Sequence, residues 1–153
     1  MITVQPIGYV RNQRTAVEDG NWGGVVSTII IDDAFDPDCL QGIEAFSHTE
    51  SIFYFDQVDE PKIIRGARHP RNNPAWPRVG IFAQRAKNRP NRLGSTIVRV
   101  LKCEGRALHV AGLDAIDNTP VLDIKPVMQE FLPRDQVQQP SWSHELMHAY
   151  WNS

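Results

Sequence analysis

The sequence is poor in several of the features that usually announce a function. It has two cysteines in 153 residues, Cys39 and Cys103, far apart. A disulfide framework is therefore not indicated, and a reducing compartment is the expected setting. No apolar run nears membrane-span length, and Met1-Ile2-Thr3-Val4 is no signal peptide, so a cytoplasmic protein with no membrane partner is expected. No G-x-G-x-x-G follows a strand, which leaves a Rossmann-type nucleotide site without local support. A P-loop and a G-x-S-x-G elbow are absent as well. Helix signals are few, and neither repeats nor low-complexity tracts occur.

One further absence is local. From Lys62 to Lys102 there are eleven Lys or Arg and no Asp or Glu, while the rest of the chain holds five bases and all eighteen acids. The net charge of −2 thus conceals a balance of +11 against −13. Cations without nearby carboxylates either pair with acids elsewhere in the fold or face an anion: a carboxylate, a phosphate or a nucleic acid. Charge alone leaves both readings open.

What is present is mainly β. Ile7–Val10, Val25–Ile31, Ser51–Phe55, Val79–Ala83, Thr96–Leu101 and Leu108–Ala111 are short and rich in β-branched or aromatic residues. Cys103-Glu104-Gly105-Arg106 reads as a hairpin turn with Gly105 at positive φ. Sparse polar residues along Ile97–Leu101 predict a strand buried on most of both faces. Asp36-Pro37 fits the start of a helix with Leu40, Ile43 and Phe46 on one side. Ser141 or Ser143 fits the cap of a last helix carrying Trp142, Leu146 and Ala149. Long polar or basic stretches, Arg11–Gly24 and Asp59–Arg78, separate these elements. The pattern predicts one mainly β domain over 1–153, a small closed or nearly closed β-barrel with a few short helices.

Four short stretches invite chemical readings. His144–His148, "HELMH", matches the zinc-peptidase pattern, but only five residues follow it and none is a good third ligand. A surface helix with two histidines is the preferred reading, and no metal is expected. "AIDNTPVLDIKP", Ala115 to Pro126, holds strong turn chemistry in Asp117-Asn118-Thr119-Pro120. "NWGG", Asn21 to Gly24, offers close backbone approach beside an indole face. "FSHTESIFYF" sets His48 between a short helix and an apolar strand, where a capping role is the commoner one.

Taken together, these segments resemble one family. "PRVGIFAQRAKNRPNRLGSTIVRVLKCEGRALHVAGLDAIDNTPVLDIKP" is similar to the central block of the TsaA-like (YaeB/VirR/TrmO) proteins. "PIGYVRN" and "GIEAFSH" match too, so the similarity covers most of Ile7 to Pro126 in consistent order. The departures are local. The family's threonine-arginine pair reads Gln84-Arg85, its R-P-N-P-I-G reads Arg89 to Gly94, and its D-G-T-P reads Asp117-Asn118-Thr119-Pro120.

The resemblance implies a small β-barrel, a homodimer, S-adenosylmethionine as methyl donor, and methylation of adenine N6 in tRNA beside the anticodon. Carried over by position, donor contacts fall on Asn21, Trp22 and Gly23, on His48 and Thr49, on Arg85, on Ser95, and on Ala115, Ile116, Asp117 and Asn118. Arg85 or Arg89 would hold the donor's carboxylate, and the remaining cations would suit an RNA backbone. Asp117, Asp123 or a water would take the proton from the amine, and no catalytic residue is assigned. Longer members carry a second domain after this block, which is not expected here. A non-enzymatic donor-binding module and a small-molecule methyltransferase are the competing readings.

Overall fold

The computed structural model describes residues 1–153. Its strands are β1 (Gly8–Arg11), β2 (Val26–Ile31), β3 (His48–Tyr54), β4 (Ala67–Arg68), β5 (Val79–Gly80), β6 (Leu93–Glu104), β7 (Ala107–Ala111) and β8 (Pro120–Pro126), followed by one α-helix, α1 (Ser141–Leu146). Six strands close into a barrel in the order β1-β2-β7-β6-β3-β8, every pairing antiparallel. Closure leaves no free sheet edge, so the backbone polar groups of the six strands find partners within the ring.

Strand alternation builds the core. Val10, Ile29, Ile31, Phe53, Val98, Leu108, Val110 and Val121 point inward, joined by Leu40, Leu113 and Ala115. Each aliphatic side chain so buried contributes roughly 1.5–3 kcal/mol. The interior is not wholly apolar: Ser27, Thr49, Ser51 and Thr96 are buried there too. Gly94, on β6, lies against the Phe53 ring; a Cβ there would come within 2.5 Å of it. The β6–β7 hairpin turns on Gly105 at φ 60, the residue type that a II′ hairpin favours first in its two-residue loop.

Several expectations change. Val79–Ala83 is not a barrel strand: only Val79–Gly80 pairs, with Ala67–Arg68 outside the barrel, and Ile81–Ala83 is a 3₁₀ turn. Residues after Asp36 form turns and a 3₁₀ turn at Ile43–Ala45 rather than an α-helix. β6 is buried on one face only; Ile97 and Leu101 are 49% and 46% exposed, because nothing in this chain covers the barrel's outer wall there. Pro120–Pro126 is a full strand, which its proline ends disguise. Pro140, not a serine, precedes α1, and Ser143 Oγ donates back to the Pro140 carbonyl at 2.6 Å.

The register divides the connections between two mouths. β1 ends, β2 begins, β3 ends, β6 begins, β7 ends and β8 begins at one mouth. The loops 12–25, 55–92 and 112–119 therefore all meet there. The opposite mouth holds His48, the Gly105-Arg106 turn and the end of β8.

Candidate functional site

The loop-bearing mouth is stitched together by polar contacts between segments distant in sequence. Asn12 N–H donates to Asp117 Oδ1 at 3.0 Å. Asn12 Nδ2 donates to Ser27 Oγ at 2.9 Å and to the Ala115 carbonyl at 2.8 Å. Asp117 N–H donates to the Arg14 carbonyl at 2.7 Å, and Asn118 N–H to that of Val10 at 2.8 Å. Asn118 sits at φ 71, a conformation glycine adopts freely and asparagine tolerates best among the rest. That explains how asparagine stands where the family pattern has glycine. Asn21 meets the same demand at φ 63.

Arg14 organises the first loop. Its guanidinium lies 3.7 Å from the centre of the Trp22 ring, donates to the Asn21 carbonyl at 2.7 Å, and pairs with Glu18 at 2.8 Å. Trp22 is buried, so its indole anchors the loop in place of offering an open stacking face. A cavity of about 720 Å³ opens along Asn12–Ala16, Glu18 and Gly24–Val26, in the size range of a small-molecule site.

The cations between Lys62 and Lys102 divide into two groups. Lys62, Arg65, Arg71, Arg92 and Lys102 lie within ion-pair distance of carboxylates. Arg68, Arg78, Arg85, Lys87, Arg89 and Arg99 have no carboxylate partner. Pairing with acids elsewhere in the fold thus accounts for five of the eleven cations between Lys62 and Lys102. Arg89 is committed to the Gln84 carbonyl at 2.6 Å, which folds the loop on itself. Arg85 is exposed and donates through one nitrogen to the Ser95 carbonyl at 2.6 Å.

Of the residues the resemblance singles out, the mouth gathers Asn21, Trp22, Gly23, Arg85, Ser95, Ala115, Ile116, Asp117 and Asn118. His48 and Thr49 are not among them. They start β3 at the opposite mouth, where His48 pairs with Arg99 and Thr49 with Val98 and Pro126. His48 Nδ1 contacts Ser47 Oγ at 2.7 Å, and the Thr49 hydroxyl is buried with no partner. Asp123 faces Lys125 at 2.9 Å, away from the mouth, whereas Asp117 Oδ2 has no partner in it.

Three features escaped the sequence. Asn12 ends the family-like "PIGYVRN" and Arg14 follows in the polar loop, but nothing local shows that they tie this loop to the Ala115–Asn118 turn and to Trp22. Asp114 gave no sign that both its oxygens would be taken, one by the Thr96 hydroxyl and the other by the Tyr150 hydroxyl. Burial, with the Asp114 carboxylate beside it, pushes the Tyr150 phenol far above its ordinary range. "HELMH" does not form one helical face. α1 ends at Leu146, His148 falls in the turn beyond, and Glu145 Oε2 accepts from Trp76 Nε1 at 2.8 Å.

A closed antiparallel barrel whose long polar loops share one mouth defines the class of small β-barrel domains to which this fold belongs. The family model for the tRNA-methyltransferase O N-terminal domain matches residues 10–131, and the chain belongs to that family. It is 38% identical over 101 residues to the human tRNA (adenine(37)-N6)-methyltransferase, covering 66% of this chain and 22% of that protein. It is 34% identical to a "Probable S-adenosyl-L-methionine-binding protein" of Methanothermobacter thermautotrophicus, covering 84% of this chain and 92% of the relative. The TrmO crystal structure from Pseudomonas aeruginosa superposes with a TM-score of 0.74 at 27% identity, covering 93% of this chain and 62% of that one. The chain spans only 21–25% of the length of the mammalian relatives it matches.

Proposed function

We propose that this protein binds S-adenosylmethionine at the loop-bearing mouth and methylates N6 of an adenosine in tRNA. The observation that carries the reading is the convergence of Arg85, Ser95 and the Ala115–Asn118 turn with the Asn21–Gly23 loop at one mouth, in a chain of the tRNA-methyltransferase O family.

The residues present suit that donor. Its carboxylate calls for a cation, and Arg85 has no carboxylate of its own. Its ribose hydroxyls and ammonium call for acceptors, and Asp117 Oδ2 and the loop carbonyls supply them. When bound, the donor supplies an electrophilic methyl group on a sulfonium. The chain's residues then have two tasks. One is to hold the amine nitrogen in line at about 3–3.5 Å from that carbon, with the bond to nitrogen forming as the bond to sulfur breaks. The other is to let the amine shed its proton, which a water takes, since Asp117 holds the donor and Asp123 is ion-paired with Lys125.

Arg78 and Lys87, on the same long loop, suit the phosphates of an RNA. A homodimer belongs to this reading. His48 and Thr49 start β3 toward the opposite mouth from the other donor contacts in one copy, and a second copy offers them a route to a shared site. Tyr9, Ile30, Ile97 and Leu101 are exposed apolar residues on the outer wall that such a contact would cover. The cytoplasm, where tRNA is modified, is the corresponding location; no helix of the chain is long and apolar enough to cross a membrane.

A donor-binding module without transferase activity is the second reading, favoured by the near full-length match to the archaeal relative. Calorimetry with S-adenosylmethionine, then incubation of labelled donor with total tRNA, separates the two. Label on adenosine supports the enzyme. Binding with no transfer to any RNA supports the module, and no binding at millimolar donor removes both.

A further inference from the structure

The segment Ser141–Ser153 lies beyond the family-matched residues 10–131, yet it docks on the loops that carry the candidate site. β8 ends at the opposite mouth, where Val127 N–H donates to the His48 carbonyl at 3.0 Å. The chain must therefore run the length of the barrel before it reaches the loop-bearing mouth.

The docking there is built, not incidental. The N–H groups of Asn21, Trp22 and Gly23 donate to the carbonyls of Ala149, Tyr150 and Asn152 at 3.0, 2.8 and 3.1 Å. Gly23 has no room for a side chain, since a Cβ would lie 2.0 Å from the Trp151 carbonyl oxygen. Gly20 faces Ala149 in the same way, with 3.2 Å available. Trp76, from the long loop, donates to Glu145, and the Tyr150 and Trp151 rings meet edge to face at 4.9 Å. These N–H groups of the Asn21–Gly23 loop are consequently engaged, as are the Asn21 carbonyl by Arg14 and the Trp22 carbonyl by the Val25 N–H, which leaves the Asn21 side chain and the Gly23 carbonyl for any ligand.

At the centre of the docked segment, Tyr150 Oη donates to Asp114 Oδ2, while Thr96 Oγ1 donates to Asp114 Oδ1. Asp114 follows the fully buried Leu113 and precedes the buried Ala115 at the start of the turn that presents Asp117. A half-buried carboxylate held from both sides has one orientation; held from one side, it can swing and take the adjoining backbone with it.

We propose that Tyr150 is a positioning residue of this site: with Thr96 it locks Asp114, and so fixes the Ala115–Asn118 turn in the form that receives the ligand. The idea rests on the donor-binding reading for its functional consequence, but its structural half stands apart from that reading. Tyr150→Phe keeps the ring against Trp151 and removes only the hydroxyl.

The test compares full-length wild type, Tyr150→Phe, Thr96→Val and the double variant. The expected result is about tenfold weaker S-adenosylmethionine binding in Tyr150→Phe by calorimetry. Its KM for tRNA should be unchanged, and the effects of Tyr150→Phe and Thr96→Val should be non-additive because both act through Asp114. Equal or tighter donor binding in Tyr150→Phe overturns the proposal, the tighter result marking the segment as an obstruction. If wild type binds no donor, the donor reading fails, and amide exchange at Ala115–Asn118 decides the rest. Faster exchange in Tyr150→Phe supports the positioning role, and unchanged exchange overturns it.

Discussion

The backbone N–H of Asn12 donates to Asp117 Oδ1 at 3.0 Å across 105 positions of sequence. This hydrogen bond joins the loop after β1 to the loop before β8, and it leaves the second Asp117 oxygen without a partner in the chain.

Asp117→Ala should therefore cost stability as well as binding. It leaves the Asn12 N–H without its acceptor, at about 1–3 kcal/mol. Asp117→Asn keeps an acceptor and should retain most of the stability while losing the charge. Urea denaturation and donor calorimetry on the two variants test this, and equal stability losses in both would contradict it.

Arg85→Ala should weaken donor binding by roughly 1.5–3 kcal/mol, the range for a hydrogen bond to a charged group. Its one hydrogen bond in the chain is to the Ser95 carbonyl, so folding should change little. Calorimetry beside a thermal melt separates the effects; unchanged donor affinity would end this role for Arg85.

Gly94→Ala should destabilise the barrel by about 1–3 kcal/mol through overpacking. The new methyl would fall 2.5 Å from the Phe53 ring and 2.9 Å from that of Phe55, two rings already packed edge to face at 5.4 Å. A denaturation midpoint equal to wild type would show that the rings yield without cost.

The docked 141–153 segment should loosen in alkali. The Tyr150 phenol is raised by burial first and by Asp114 next, with Asp19 adding to the shift and Arg85 opposing it. A group raised in the folded state gives its full stability below its unfolded value, and loses it as pH climbs from there toward the folded value. An exposed tyrosine ionises near pH ~10, so wild type should hold its stability to that point and decline above it. Denaturation curves from pH 8 to 11 should show a steeper decline in wild type than in Tyr150→Phe. Parallel curves would contradict the assignment.

Lys87→Ala and Arg78→Ala should each weaken tRNA binding evenly across sequences. Removing one cation from the phosphate backbone should lower the slope of log affinity against log salt by about 1. Lys87 makes no ion pair or side-chain hydrogen bond, and Arg78 only a long one to the Ala67 carbonyl at 3.3 Å, so neither change should disturb the fold. Filter binding at several salt concentrations measures this. A slope unmoved in both variants would take these two cations out of the RNA face.

What the sequence determined by itself is local. β-branched alternation made the strands at Ile7–Val10 and Val25–Ile31, Gly105 made the hairpin, and Asn118 supplied the left-handed residue of its turn, because each depends on neighbours within a few positions. The motif order over Ile7–Pro126 also carried the family and the barrel. Only the tertiary structure decided which residues share a mouth. Strand direction and closure send Asp117, Arg85 and Asn21 to one end, and send His48 to the other. Pairing of the eleven cations was likewise undecidable from composition, since Glu60 and Asp19 reach their partners through folding. The docking of Tyr150 on Asp114 is the furthest from legible: Tyr150 lies past the end of α1, and its partner is set by a path along the barrel wall that no local pattern encodes.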